Sequence, residues 1–335
     1  MKKQKREHWK IGLVTFLFTV FIVSGCSNIH RRDNSSRRVV DRFGQLKVNG
    51  TKIISEKGDT VKLEGMSMFW SQWIHKYYNY KCVKWLRDDW HCEIIRVPLG
   101  VKPNGYLEHP KREMRKMTRV IDDCIDLGIY VIVDWHSHTA EAEIEESIHF
   151  FTEIAKRYGN KPNILYEIYN EPLIVSWNEV VKPYHEEVIA AIRKYDPDNI
   201  ILAGTTQWAQ NVDEAADNPL DDKNTVYTLH FYAETHKQLL RDKATYAIDK
   251  GLPIWITEWG TCNSDGNGPI DYEELKLWYD FMEEYQLSWC NWSVSDKKET
   301  SAVLLPNAGT KGKWPDSILS ESGKIVRKRL RQMNP

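Results

Sequence analysis

Two glutamates close short apolar, β-rich runs: Glu171 sits in Ile164-Leu165-Tyr166-Glu167-Ile168-Tyr169-Asn170-Glu171-Pro172, and Glu258 in Pro253-Ile254-Trp255-Ile256-Thr257-Glu258-Trp259-Gly260. A carboxylate at the mouth of a buried strand is costly to desolvate, so a pair of them points to chemistry. Cleavage of a glycosidic bond needs such a pair. One carboxylic acid protonates the leaving oxygen, and one carboxylate works on the other side of the anomeric carbon, about 5 to 5.5 Å away when it is a nucleophile. On this reading one of the two is the acid, with a raised pKa, and the other stays ionised as nucleophile. Either glutamate alone reads equally well as a salt bridge or as the neighbour of a helix cap.

The two lie 87 residues apart in the chain, so the fold must bring distant strand ends together. Eight strand candidates have room for a helix after each: 61–67, 93–98, 129–135, 164–170, 200–204, 226–232, 254–258 and 287–294. Helical periodicity marks 114–127, 177–195 and 272–285. Eight such units in about 290 residues fit an α/β fold, a single (β/α)8 TIM barrel. An open doubly wound sheet is the competing architecture, but no glycine-rich nucleotide turn follows the first strand. Before the first unit, Leu46-Lys47-Val48 and Lys52-Ile53-Ile54 flank Asn49-Gly50, which predicts a short N-terminal β-hairpin able to plug the bottom of the barrel.

Barrel enzymes carry their reacting groups at the C-terminal ends of strands. Those ends here offer Arg96, His136 with His138, Asn170 with Glu171, His230 with Tyr232, Glu258 and Trp292. Arg96 can hold Glu258 charged, a Tyr232 hydroxyl can hydrogen-bond it, and Asn170 can donate to a sugar 2-hydroxyl. His136, His138 and His230 suit substrate hydrogen bonds; the rival reading is a metal site, for which Asp134 should point away. No metal or cofactor is expected. Trp135, Trp255, Trp259 and Trp289 read as core, while Trp70, Trp73, Trp177, Trp208 and Trp292 are expected to line a sugar cleft.

Composition agrees. The 14 Trp and 16 Tyr suit stacking on sugar faces, and a net charge of −1 without a long single-sign run argues against nucleic acid as a partner. Lys2, Lys3, Lys5, Arg6 and Lys10 precede an apolar stretch at 11–23, the layout of an export signal. It ends Val23-Ser24-Gly25-Cys26, which resembles a bacterial lipobox and implies lipidation at Cys26 and anchoring to the cell envelope. The expected layout is a signal peptide at 1–25, a polar tether at 26–41 and a catalytic barrel at 42–335. Cys82, Cys92, Cys124, Cys262 and Cys290 lack metal or redox spacing and read as buried small residues, with up to two bridges left open.

Taken in order, the motifs resemble glycoside hydrolase family 5, in particular its bacterial-type endo-β-1,4-glucanase (cellulase) subfamily. The carriers are Gly65-Met66-Ser67 with Gln72-Trp73, Arg96, Asp134-Trp135-His136-Ser137-His138, Asn170-Glu171-Pro172, Gly204-Thr205 with Trp208, His230-Phe231-Tyr232-Ala233, Thr257-Glu258-Trp259-Gly260 and Asn291-Trp292-Ser293 with Lys297 and Glu299. The resemblance implies a retaining double displacement, with Glu171 as acid/base, Glu258 as nucleophile, and support from Arg96, His136, Asn170, His230 and Tyr232. It also implies that Trp292 stacks under the cleaved sugar, that Trp73 and Lys297 serve the next sugar on the non-reducing side, that Trp208 lies toward the leaving group, and that Glu299 is a substrate-binding residue. Phe69 stands where some relatives have histidine. A mannan or mixed-linkage glucan substrate, or a glycan-binding lipoprotein without activity, are the alternatives. The expected partner is a β-glucan chain acted on by a monomer. No cellulose-binding module or Ser/Thr/Pro linker is evident, so soluble or amorphous glucan is expected over crystalline cellulose.

Overall fold

The computed structural model describes residue 1 and residues 38–335. Chain contacts separate residues 1–33 from 34–335, and the second unit holds the barrel. The segment expected to be a signal peptide, and Cys26, lie outside the described residues.

Eight parallel strands close into one barrel in sequence order: β3 (Glu64–Met68), β4 (Ile94–Gly100), β5 (Tyr130–His136), β6 (Ile164–Glu167), β7 (Ile201–Gly204), β8 (Thr225–Tyr232), β9 (Ile254–Gly260) and β10 (Trp289–Val294), with β10 pairing back to β3. All eight expected strands are present. Both faces of every strand are buried, which explains their near-continuous apolar runs. Alternation still sorts the side chains. Trp135 faces Phe150 of helix α4 (Ile144–Tyr158), and Phe231 stacks 4.0 Å from Trp278 of α9 (Tyr272–Glu284), so these rings fill the layer between sheet and helices. Their neighbours in sequence, His136, His230 and Tyr232, face the barrel interior. Trp135, Trp255, Trp259 and Trp289 are fully buried, as expected of core residues.

The helices begin and end where local chemistry directs. In α3 (Pro110–Leu127) proline occupies the first turn and Gly128 closes the helix at φ 69°, a left-handed position that favours glycine. Asp271 caps α9 by accepting from the Glu274 N–H. The stretch predicted helical from 177 begins as a wide turn at Trp177–Val181 and continues as α5 (Lys182–Arg193). A short helix α1 (Val39–Phe43) reaches into the expected tether, because Val39 buries itself against the barrel.

Strands β1 (Lys47–Asn49) and β2 (Lys52–Ile54) form the expected hairpin, with Gly50 and Thr51 as the turn. The hairpin lies across the N-terminal ends of the barrel strands. Val48 N–H donates to Asn224 (2.8 Å) and Lys52 Nζ to the Tyr285 carbonyl (2.6 Å), in the segments that lead into β8 and β10. The five cysteines at 82, 92, 124, 262 and 290 are free and buried. Among the described residues no helix is long and apolar enough to cross a membrane.

At the same end Glu93 is nine-tenths buried beside Glu64, with Arg42 at 2.5 Å. Burial first, and Glu64 second, push its carboxyl up to about 7 despite Arg42. The folded form therefore holds a proton that the unfolded chain releases near the ordinary glutamate value. Stability from this group is present below about pH 4.5 and is lost as pH rises toward 7. Glu93→Gln should raise the melting temperature at pH 8 by roughly 1–3 °C and change it little at pH 4.5, measured by thermal denaturation.

Candidate active site

The site is built around one guanidinium. Arg96, on β4, is completely buried and donates through Nε and Nη2 to both oxygens of Glu167 (2.6 and 3.2 Å), through Nη2 to Asn170 Oδ1 (2.5 Å) and through Nη1 to Glu258 Oε2 (2.8 Å). Asp134 Oδ2 lies 3.0 Å from Nη2. With Oδ1 of Asn170 taken by Arg96, its Nδ2 is free to donate outward. The second oxygen of Glu258 accepts from the Tyr232 hydroxyl (2.7 Å). Gly260 lets that ring lie against β9, since a Cβ there would meet Tyr232 at 2.3 Å. The Arg96 and Tyr232 contacts expected for Glu258 are thus both present.

Glu171 follows β6 and accepts from its surroundings on the other side of the cleft. Its Oε1 lies 2.9 Å from His230 Nδ1, and its Oε2 lies 3.5 Å from His138 Nδ1. One oxygen of Glu171, one of Glu258 and a ring nitrogen of His230 all fall within 4.8 Å of one another. Two carboxylates that come this close can address opposite sides of one bond.

The electrostatics differ from the sequence expectation at both glutamates. Burial raises Glu171, but the hydrogen bond and charge of His230 outweigh it and hold the carboxyl below its usual range. Burial likewise opposes charge on His230, yet the carboxylates of Glu167 and Glu171 lift the imidazole to about 9. Burial and the facing Glu171 push Glu258 up, against Arg96, His230 and Tyr232. In the free protein the proton shared across the Glu171–His230 hydrogen bond therefore rests on the imidazole. A sequence shows each carboxylate but not the imidazole that competes for its proton.

Asp134 was expected to point away and does not. It lies two residues before His136, so both face inward, and Asp134 Oδ2 holds His136 Nδ1 at 2.6 Å. His136 is stacked parallel to Trp292 at 5.2 Å and is edge-on to Trp70 at 4.1 Å. Burial and Arg96 keep its imidazole neutral. The metal reading finds no grouping of His136 and His138 with a third ligand among the described residues. Among the described residues the one group at metal distance is Glu171, His230 and Glu258. There both His230 nitrogens are already hydrogen-bonded, Nδ1 to Glu171 and Nε2 to Thr257, so a metal would have to displace one of those bonds.

A cleft of about 300 Å³ opens over the two glutamates, lined by Phe69, Trp73, Trp208, Trp292, Lys297 and Glu299 among others. Trp73 is 52% exposed and stacks on Trp70 at 4.8 Å. Lys297 sits over the Phe69 ring and pairs with Glu299 at 2.5 Å. Trp208 stands on three successive left-handed residues, Gln207, Trp208 and Ala209, whose backbone is tied to Pro172 and Leu173 just after Glu171. That strained turn fixes an exposed ring beside Glu171. Trp177 does not join the cleft: it is buried, donates to the Asn218 carbonyl and packs against His185 and Tyr227.

The model of the family described as cellulase (glycosyl hydrolase family 5) matches residues 54–298. The chain belongs to glycosyl hydrolase family 5. This family 5 chain is 43% identical over 324 residues to endoglucanase A of Evansella cellulosilytica, which covers 94% of the chain and 66% of that protein. It is 46% identical over 287 residues to endoglucanase Z of Dickeya dadantii, covering 84% and 65%. The chain thus spans just under two thirds of the length of these relatives. Among solved structures, one from Cytophaga hutchinsonii superposes with a TM-score of 0.88 at 51% identity, covering 88% of this chain and 97% of that one. The catalytic domain of Thermobifida fusca endoglucanase Cel5A, a variant solved with cellotetraose, gives 0.84 at 35% identity, covering 87% and 99%.

Three residues of the site escaped sequence reasoning: Asp134, Glu167 and Thr257. Counting back by twos from His136 finds the first, and a glutamate inside the apolar run Leu165-Tyr166-Glu167-Ile168 signals the second. Removing Arg96 leaves buried carboxylates unpaired. Arg96→Lys, which cannot reproduce the forked contacts, should lower unfolding free energy by about 3–5 kcal/mol in denaturant titration and abolish turnover.

Proposed function

We propose that this family 5 chain is an endo-β-1,4-glucanase that cleaves internal linkages of β-glucan with retention of configuration. The observation that carries this is the approach of the Glu171 and Glu258 oxygens to within 4.8 Å, which suits direct attack and leaves no room for the water that an inverting pair must hold between them. Glu258, gripped by Arg96 and Tyr232, attacks the anomeric carbon from one side while Glu171 passes a proton to the departing oxygen. A glycosyl-enzyme ester forms on Glu258. Glu171, now a base, draws a proton from water, which attacks the same carbon and releases the sugar.

The supporting roles come from position. Asn170 Nδ2 donates to the 2-hydroxyl, a bond that strengthens as positive charge grows at the anomeric carbon. His136 orients a hydroxyl of the sugar that stacks on Trp292, Trp73 and Lys297 with Glu299 hold the next sugar, and Trp208 carries the leaving side. The Thermobifida domain bound to cellotetraose and the endoglucanase relatives favour a β-1,4-glucan over mannan. Export as a lipoprotein anchored through Cys26, action as a monomer without cofactor, and the layout 1–25, 26–41 and 42–335 complete the proposal.

Assay on carboxymethyl cellulose, mannan and lichenan tests the substrate: turnover should be highest on a β-1,4-linked glucan, and faster turnover of mannan contradicts the reading. Glu171→Gln and Glu258→Gln should each lose at least about 10³-fold in kcat while still binding cello-oligosaccharide. The stereochemistry is testable separately. With azide present, Glu258→Gly should release an α-glycosyl azide and Glu171→Ala a β-glycosyl azide, read by proton NMR; the opposite anomers would exchange the two roles.

A further inference from the structure

The acid side of the site contains a chain of hydrogen bonds whose polarity can be worked out. On β9 the pairing with both neighbours counts one extra residue: Thr228 and His230 of β8 face Trp255 and Glu258, while Trp289 and Asn291 of β10 face Ile256 and Trp259. An extra residue in one strand is a bulge. It lets Thr257 and Glu258 both reach groups inside the barrel, where strict alternation would send one of them out.

Thr257 Oγ1 lies 2.6 Å from Glu167 Oε1 and 2.8 Å from His230 Nε2. Glu167 is held ionised: burial opposes its charge, but the charge of Arg96 and its hydrogen bonds prevail. An ionised carboxylate only accepts, so the single hydroxyl hydrogen of Thr257 goes to Glu167. The hydroxyl must then accept from His230, and Nε2 carries a hydrogen. Only Nδ1 remains to exchange a proton, and it faces Glu171 Oε1 at 2.9 Å.

We propose that Thr257, oriented by Glu167, is a positioning residue for proton transfer by Glu171: it pins His230 so that the exchangeable proton of the imidazole always lies between Nδ1 and the acid. This rests on the reading of Glu171 as acid/base. The other charged or titratable groups facing the pair are Arg96 from β4, Asp134 and His136 from β5, His138 after β5, Glu258 from β9, and Tyr232 and His236 at the end of β8. All are retained when Thr257 is changed. Without the hydroxyl, Nε2 loses its partner, the ring is free to turn or to change tautomer, and Glu171 loses control of its proton.

The test uses aryl β-cellobiosides, because a 2,4-dinitrophenolate leaves with little protonation and a phenolate does not. Thr257→Val, which keeps the shape and removes the hydroxyl, should cut kcat/KM for phenyl β-cellobioside by about 10-fold or more, a fraction of what general acid catalysis contributes. The loss on 2,4-dinitrophenyl β-cellobioside should stay under about 3-fold, since its departure does not use the acid. Thr257→Ser should restore both rates, and the basic limb of the pH profile of kcat/KM should shift in the valine variant alone. Equal losses on the two substrates, no loss on either, or failure of serine to rescue would each overturn the proposal. Glu171→Ala run alongside separates the two readings. If it shows no leaving-group dependence, the assignment of the acid fails; if it does and Thr257→Val does not, only the role of Thr257 fails.

Discussion

One buried cation organises this barrel. Arg96 has no access to water and faces the carboxylates of Asp134, Glu167 and Glu258. No single carboxylate could be left in that interior uncompensated, and the planar fork of arginine is the side chain that serves several of them at once. Its two ends reach different halves of the site. Nη1 grips Glu258 directly, while Glu167 leads through Thr257 and His230 to Glu171. Glu258 and Glu171, the proposed nucleophile and acid, are therefore tied to one rigid ion, and the geometry between them is fixed before any sugar arrives.

The barrel supplies the positions and departs from regularity where the site needs it. Alternation sends Asp134, His136, His230 and Tyr232 inward and Trp135 and Phe231 outward to the helices. A bulge in β9 brings two successive residues to the interior groups, and the pairing of β10 with β3 also shifts at Ser293, beside Trp292. The strained turn at Gln207–Ala209 brings Trp208 beside Glu171. Such irregular positions cost stability and persist where they place functional groups.

Much of this was legible in the sequence because it depends on local pattern. The eight strands, the hairpin and the helix periodicities each arise from residues close together in the chain, and the residues at strand ends are set by the barrel. What stayed hidden depends on neighbours distant in sequence. The pKa of Glu171 is set by His230, which lies on β8. Thr257 reads as outward-facing until the bulge is known. Trp177 reads as a cleft residue until the turn before α5 folds it against His185 and Tyr227. Asp134 was the exception: period two in β5 already placed it inward beside His136.

The central claim is that Glu258 bonds covalently to the sugar while Glu171 serves as its acid and base. The direct measurement is to trap the intermediate with 2,4-dinitrophenyl 2-deoxy-2-fluoro-β-cellobioside and locate the added mass by peptide mapping. The account predicts one fluorocellobiosyl group on Glu258, formed as dinitrophenolate is released. A label on Glu171, or unlabelled protein that hydrolyses cellobiosides to the α-anomer, would contradict it.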